Sequence, residues 1–420
     1  MSSLGSPESS KNSSDMARRL FPGWYVVASV FMVLSATSGL IFYGLAVYLD
    51  ALTDEQGFST TSVSLATSMF FVVGGVSGRV IAPLIERHDI RLVIGAGGLV
   101  STLSLYLIGS VTSIVALYAV YLLMAIGFAL VGLIPGTTLV TRWFHERRAF
   151  ALAVASTGLS FGGLSYTIFA SWLIDDRGLA DAAPILAGLF LVSVAIAMPG
   201  LWPWPAARGL TPFGEPPATD GPPEGIDYDT AISTRFFRII VVGFILAMGA
   251  QVGALSQVAK LGTERIDRPA GALAVSAIAL GSVFGRLAGG AVADRLPLMR
   301  FTVVLAIGQG TTLAGIAFAD SRLSLAIVAF LFGTTVGNLL MLQPLLIASA
   351  FGILAYPRIF AIQQLLVTAG VAGGPLLLGF LRDQSSYRVS YLVAGGLSML
   401  AAGVAAASGI RHPTPETVLD

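Results

Sequence analysis

The chain contains no cysteine, which excludes disulfides, thiol redox chemistry and thiolate metal sites. Histidine is nearly absent as well, limited to His88, His145 and His412. Charge is scarce. Lys, Arg, Asp and Glu make up 11% of the chain, against roughly 25% in an average soluble domain. With so few charges a soluble fold of 420 residues could not cover its surface. That argues against a cytosolic enzyme, a nucleic-acid binder and a disordered chain. Basic and acidic residues nearly cancel, at 24 and 23, so net charge points to no nucleic-acid partner. Phosphate loops, dinucleotide fingerprints and metal-ligand spacings are missing too. No cofactor or metal is therefore expected, and no motor for primary active transport. What is plentiful is apolar sequence: 55% of residues are hydrophobic and the mean hydropathy is +0.82. The expectation is an all-α integral membrane protein with the lipid bilayer as its solvent.

A bilayer-spanning helix needs about 20 mostly apolar residues. Charge-free runs lie at 24–49, 56–78, 92–141, 149–174, 182–207, 239–259, 269–285, 301–319, 323–357, 359–381 and 389–410. The run 92–141 holds two spans, broken near the Ser110–Ser113 turn, and the run from 269 continues past Arg286 to about Ala293. Twelve transmembrane helices are predicted. Residues 1–20 are polar and read as a cytoplasmic tail, with no signal-peptide core. Residues 21–207 form a first six-helix bundle and 235–410 a second, with a cytoplasmic tail at 411–420. Between the bundles, 208–234 is rich in Pro, Gly and acid and reads as a cytoplasmic linker. With the N-terminus inside, fifteen basic residues fall in cytoplasmic segments and seven outside, and Arg79 and Arg286 remain within helices. The positive-inside rule then puts both termini in the cytoplasm.

The two halves echo each other. Span two ends GRVIAPLIERHDIR, carrying Arg79, Glu86, Arg87 and Arg91. Span eight ends GRLAGGAVADRLPLMR, carrying Arg286, Asp294, Arg295 and Arg300. Pro135 in span four is followed by Arg148-Ala-Phe-Ala, and Pro344 in span ten by Arg358-Ile-Phe-Ala. A six-helix unit used twice in parallel is the architecture of alternating-access carriers.

These acid-Arg turns resemble the G-x-x-x-D-R-x-G-R-R loop of the major facilitator superfamily. GAVADRLPLMR is a close copy and APLIERHDIR a degenerate one, with Ala82 for the leading Gly and Glu86 for the Asp. The architectural resemblance covers about residues 20–410, and it implies the major facilitator fold of two pseudo-symmetric six-helix bundles. RWFHERRAFALAVASTGLSFGG (142–163) is similar to the entry into helix 5 of the monocarboxylate-transporter-like branch. PGWYVVASVF (22–31) resembles its prokaryotic members, which implies a bacterial inner membrane. In that branch, an arginine followed by Gly four residues later binds the carboxylate, and Arg286-Leu-Ala-Gly-Gly290 matches it. The chain departs from relatives elsewhere. Tyr43 stands where some animal members have lysine, Ser282 precedes Arg286 where an acid is found, and Gln257 replaces a helix 7 histidine. Helix 11 has no lysine, unlike the similar oxalate/formate exchangers, which favours a monoanion over a dianion.

Arg286 cannot shed its proton to escape burial. Charges inside spans usually face a water-filled pathway or a partner. Either its planar fork holds a substrate carboxylate, or it snorkels to an interfacial acid such as Asp294 or Glu86. Arg79, two turns from Glu86, reads rather as a gate residue. Glu86, Arg87, Arg91, Asp294, Arg295 and Arg300 read as gating latches at the cytoplasmic surface. Tyr43, Gln257, Asn338, Gln364 and Ser160 form the candidate substrate shell with Arg286, although helix–helix hydrogen bonding explains each of them equally well. Gln251, Gln343, Gln363 and Tyr166 are further polar positions within spans. Gly158-Leu-Ser160-Phe-Gly162 spells a serine-nucleophile pattern. With no histidine in any span to serve as its base, close helix packing is the better reading, and no enzyme is expected.

The resulting expectation is a secondary transporter of a small organic monocarboxylate, working as a monomer by proton symport or anion exchange. The alternatives are an exporter of a larger amphipathic compound and a non-transporting membrane sensor.

Overall fold

The computed structural model describes residues 21–214, 225–409 and 414–419. The first tail with Lys11, Arg18 and Arg19, the middle of the linker, and Arg411 lie outside the described residues. Among the described residues, eleven helices are long and apolar enough to cross a membrane. One of them, Arg148–Ala197, contains Gly178 at φ 76°, ψ 163°, which is not helical. Glycine adopts this backbone without steric cost, so that helix is two spans and the total is twelve.

The spans are α1 (Gly23–Asp54), α2 (Thr60–Arg87), α3 (Ile90–Leu107), α4 (Ile114–Trp143), α5 (148–177) and α6 (179–197). The second half supplies α7 (Arg235–Arg265), α8 (Arg268–Ala293), α9 (Leu298–Ala317), α10 (Arg322–Phe351), α11 (Tyr356–Gln384) and α12 (Tyr387–Ala406). Many starts are set by an N-cap side chain that accepts a first-turn N–H. Ser59, Asp89 and Ser113 cap α2, α3 and α4, and Thr234, Asp267, Ser321 and Ser386 cap α7, α8, α10 and α12.

Helix pairing repeats with an offset of six. In the first bundle α1 packs on α5 and α2 on α4; in the second α7 packs on α11 and α8 on α10. Glycine permits these approaches. A Cβ on Gly158 or Gly162 would run into the α1 backbone at Phe31 or Ser35. The same holds for Gly370 against Ile245 and Gly374 against Gly249. The G-x-S-x-G pattern is therefore occupied by helix packing.

The end of the molecule where α1 begins carries the acid-Arg turns and is called the basic end below. There the linker differs from a free connector. After α6 and a 3-10 turn (Met198–Gly200), the chain folds back so that Phe213 N–H donates to Trp143 O at 2.9 Å. Beyond the undescribed stretch, Ile226 N–H donates to Phe351 O at 2.9 Å, and a short helix (Tyr228–Ser233) leads into α7. The linker thus grips the 4–5 loop at one end and the 10–11 loop at the other.

Candidate functional site

Contacts between the bundles lie in the half of the molecule nearer the basic end. α5 meets α8, and α2 meets α11. A Cβ on Gly290 would touch Ala153 and Ala149, and one on Gly75 would touch Thr368 and Leu365. Toward the opposite end, polar ties stay within one bundle: Glu55 accepts from Leu179 N–H, Arg382 pairs with Glu264, and Arg322 pairs with Asp267. The bundles are closed at the basic end and part toward the other.

Arg286 sits at this seam and is 1% exposed. Its Nε donates to Gly337 O on α10 at 3.2 Å, and its Nη1 donates to Ser156 O on α5. One guanidinium thereby joins three helices and both bundles. Gly337 is small for a reason, since a Cβ there would meet Ser282 O and the Arg286 Cβ. No acid among the described residues pairs with Arg286.

Tyr43 lies within electrostatic range of the same guanidinium. A π-helical turn, Ser38–Phe42, aims it: Tyr43 N–H bonds Ser38 O, five residues back, at 2.8 Å. Such bulges recur at functional sites. Neighbouring side chains occupy carbonyls around the bulge, with Thr167 donating to Gly39 O at 3.0 Å and Tyr48 to Leu40 O at 2.6 Å. The Tyr43 ring lies on Gly163, where no side chain obstructs it, and is 46% exposed on the parted side. Ser160 is one turn along α5 from Ser156 and so shares its face.

Asn338 adjoins Gly337 but turns to α8. Its Nδ2 donates to Gly285 O at 2.7 Å and to Thr334 O at 2.8 Å, fastening α10 to α8. Gln364 falls on the α11 face that carries Ala361, Leu365 and Thr368 toward α2. Gln257 is elsewhere: it accepts from Ser390 on α12 at 3.3 Å and lies beside Gly379, inside the second bundle. Tyr166 is likewise internal, bonded to Ser193 at 3.1 Å. The residues around Arg286 that sequence reasoning missed are Ser156 and Gly337, because they act through backbone carbonyls. The small-residue spacing Gly333–Gly337 is the one signal that marks such an approach.

The acid-Arg turns behave unequally. Asp294 accepts from Ala149 N–H at 3.0 Å and Phe150 N–H at 3.3 Å, so it caps the start of α5 across the seam. Desolvation there pushes its carboxyl up from the ordinary aspartate range, while the two N–H groups pull it down. Glu86 has no such cap and lies in the field of Arg358, Arg142 and Arg87. Arg91 pairs with Asp89 at 3.6 Å. Arg79, Arg87, Arg295 and Arg300 are exposed, with no acid in ion-pairing distance among the described residues.

Two bundles with repeated pairing, joined at one end and parted at the other, make a carrier fold. Residues 31–354 match the model of the Major Facilitator Superfamily. The chain belongs to this superfamily. It is an integral multi-pass membrane transporter and not an enzyme. It is 26% identical to rat monocarboxylate transporter 13 over 91% of this chain and 88% of that one. To mouse monocarboxylate transporter 11 it is 27% identical, covering 88% and 84%. An oxalate:formate antiporter of Oxalobacter formigenes matches over 47% of each chain at 23% identity. Among solved structures, the transporter FucP in the outward conformation superposes with a TM-score of 0.70 at 15% identity, covering 93% and 99%. The human organic anion transporter MFSD10 does so at 0.67 and 16%, covering 91% and 99%.

Proposed function

We propose that this transporter carries a small organic monocarboxylate, with Arg286 as the carboxylate anchor. The observation that carries the reading is a buried guanidinium at the seam of two bundles with no protein carboxylate to neutralise it. Its present acceptors are neutral carbonyls. A carboxylate instead offers the planar fork two anionic oxygens in parallel, a bidentate match that two carbonyls on separate helices do not supply. A monoanion arriving from the parted end, past Tyr43, takes the guanidinium from Ser156 O and Gly337 O. That exchange removes a tie between α5 and α8, and so couples substrate binding to opening at the basic end. Ser160 and Tyr43 are the polar groups placed to orient the rest of the molecule. The named monocarboxylate transporters among the relatives support the substrate class.

By the positive-inside rule the basic end faces the cytoplasm, with both termini there, and the structure is then open outward. Proton symport and anion exchange both remain consistent with this site. The acid substrate itself can carry the proton, since among the described residues Tyr43 is the titratable group in electrostatic range of Arg286.

The test is uptake of radiolabelled lactate-like acids into proteoliposomes. Saturable uptake that is lost in Arg286→Ala is the expected result. Normal uptake by a correctly inserted Arg286→Ala protein overturns the assignment, and uptake only of larger amphipathic compounds overturns the substrate class.

A further inference from the structure

Several arginines of the basic end are engaged with protein. Arg142 lies over the Trp204 ring at 4.2 Å, Arg208 over Trp202 at 3.3 Å, and Arg358 over Tyr228 at 4.2 Å. Arg148 Nε donates to Phe144 O at 2.7 Å. Arg235 and Arg238 are different. They stand three residues apart on the first turns of α7, hence on one face. Both are exposed, and no acid among the described residues pairs with either.

These two overhang an open furrow between α7 and α12. Its floor is apolar, made by Ile239, Val242 and Val404. Beneath, a small apolar hollow shares Ile239 and is walled by Gly243, Ala401 and Ala405. Gly243, which has no side chain, leaves room for this hollow. Two guanidinium groups at the end of a membrane span, above an apolar channel that runs toward the bilayer interior, match a molecule with an anionic head and a hydrocarbon tail. Juxtamembrane arginines meet anionic headgroups at this depth, and the first turn of α7 adds its positive helix end.

We propose that this furrow binds an anionic phospholipid. The phosphate sits between Arg235 and Arg238, and one acyl chain lies along Ile239, Val242 and Val404. The site is distinct from Arg286 and does not depend on the substrate reading.

Native mass spectrometry of the full chain, titrated with phosphatidylglycerol and separately with phosphatidylcholine, tests it. One retained phosphatidylglycerol per chain, with phosphatidylcholine not retained, is expected. Arg235→Gln/Arg238→Gln should weaken retention about thirtyfold. Val242→Trp, which fills the furrow and leaves both charges, should weaken it as well. The charge-matched pair Arg295→Gln/Arg300→Gln should not. Equal losses in both double variants would make the effect general surface charge and overturn the proposal. Displacement by inorganic phosphate with no effect of Val242→Trp would make it a free-anion site and overturn the lipid. A dimer that Val242→Trp disrupts, without lipid, would assign the furrow to a second copy of the chain and overturn it too.

Discussion

Arg79 and Arg286 occupy corresponding places in the two halves, each after a glycine near the basic end of its helix, yet one is exposed and the other is 1% exposed. The difference comes from what each helix faces. α8 lies against α5 and α10, where Ser156 and Gly337 present carbonyls that accept from the guanidinium. At the matching point of α2, Gly78 faces the Ile134 and Ala361 side chains, which accept nothing. Spacing adds to this. Seven residues separate Arg79 from Glu86 and keep them on one face, whereas eight separate Arg286 from Asp294 and turn the acid by about a quarter turn. Asp294 then meets the start of α5 instead of its own arginine. A duplicated motif has thus become a buried tie between the bundles in one half and a peripheral charge in the other.

That contrast breaks most sharply on transport. Removing Arg286 leaves its partners unmatched, a loss on the order of 2–5 kcal/mol. Carboxylate kcat/KM should then fall by about two orders of magnitude or more in Arg286→Ala. Arg79→Ala should stay within about tenfold, as exposed charges do. Equal losses would remove the distinction between the halves.

Packing gives the next effect. Gly374→Ala sets a methyl against the Gly249 backbone, and overpacking of this kind costs about 1–3 kcal/mol. The melting temperature should fall clearly. Gly373→Ala, where nothing lies within 4 Å, should leave it unchanged or raise it slightly through better helix propensity.

The acid-Arg turns give a smaller one. Loss of a cap costs about 1 kcal/mol, so Asp294→Ala should shift the closed basic end about fivefold toward opening. Asn, an equally good cap, should restore most of it. The absence of native cysteine lets spin labels on introduced cysteines report the distance across the seam without background. Glu86→Ala should shift it less, because Glu86 caps nothing in this state.

Smallest is the exposed Asp267–Arg322 pair at the opposite end, 2.6 Å apart. The Arg322 hydrogen bond holds the Asp267 carboxyl below its ordinary value of 3.8. A depressed carboxyl contributes stability above its unfolded value and loses it as pH falls through the native one. Wild type should therefore show a slight extra loss of melting temperature below about pH 4 that Asp267→Asn lacks.

The twelve spans were legible because charge in this chain falls almost entirely at their ends. Arg286 was legible for the same reason, as a charge out of place. Its partners were not, because a carbonyl belongs to every residue and leaves no mark in the sequence. The π-turn at Ser38–Phe42 was also hidden, since SGLIF contains neither proline nor charge to announce an extra residue. Gln257 illustrates the converse: a polar residue in a span looks the same whether it faces a cavity or, as here, Ser390 on α12.

The glycine contacts have a mechanical consequence. Within each bundle, pairs such as α7–α11 rest main chain on main chain at Gly249, Gly370 and Gly374. A contact of that kind has no rotamers, so it has nothing to adjust. The seam between the bundles is built instead from a guanidinium, a carboxylate and small side chains, all of which can be exchanged. Compliance is confined to one plane, and each half is stiff enough to act as a lever. On the mechanism proposed above, a change of a single hydrogen-bond acceptor at Arg286 would then be delivered to the far ends of the helices as displacement and not be absorbed along the way.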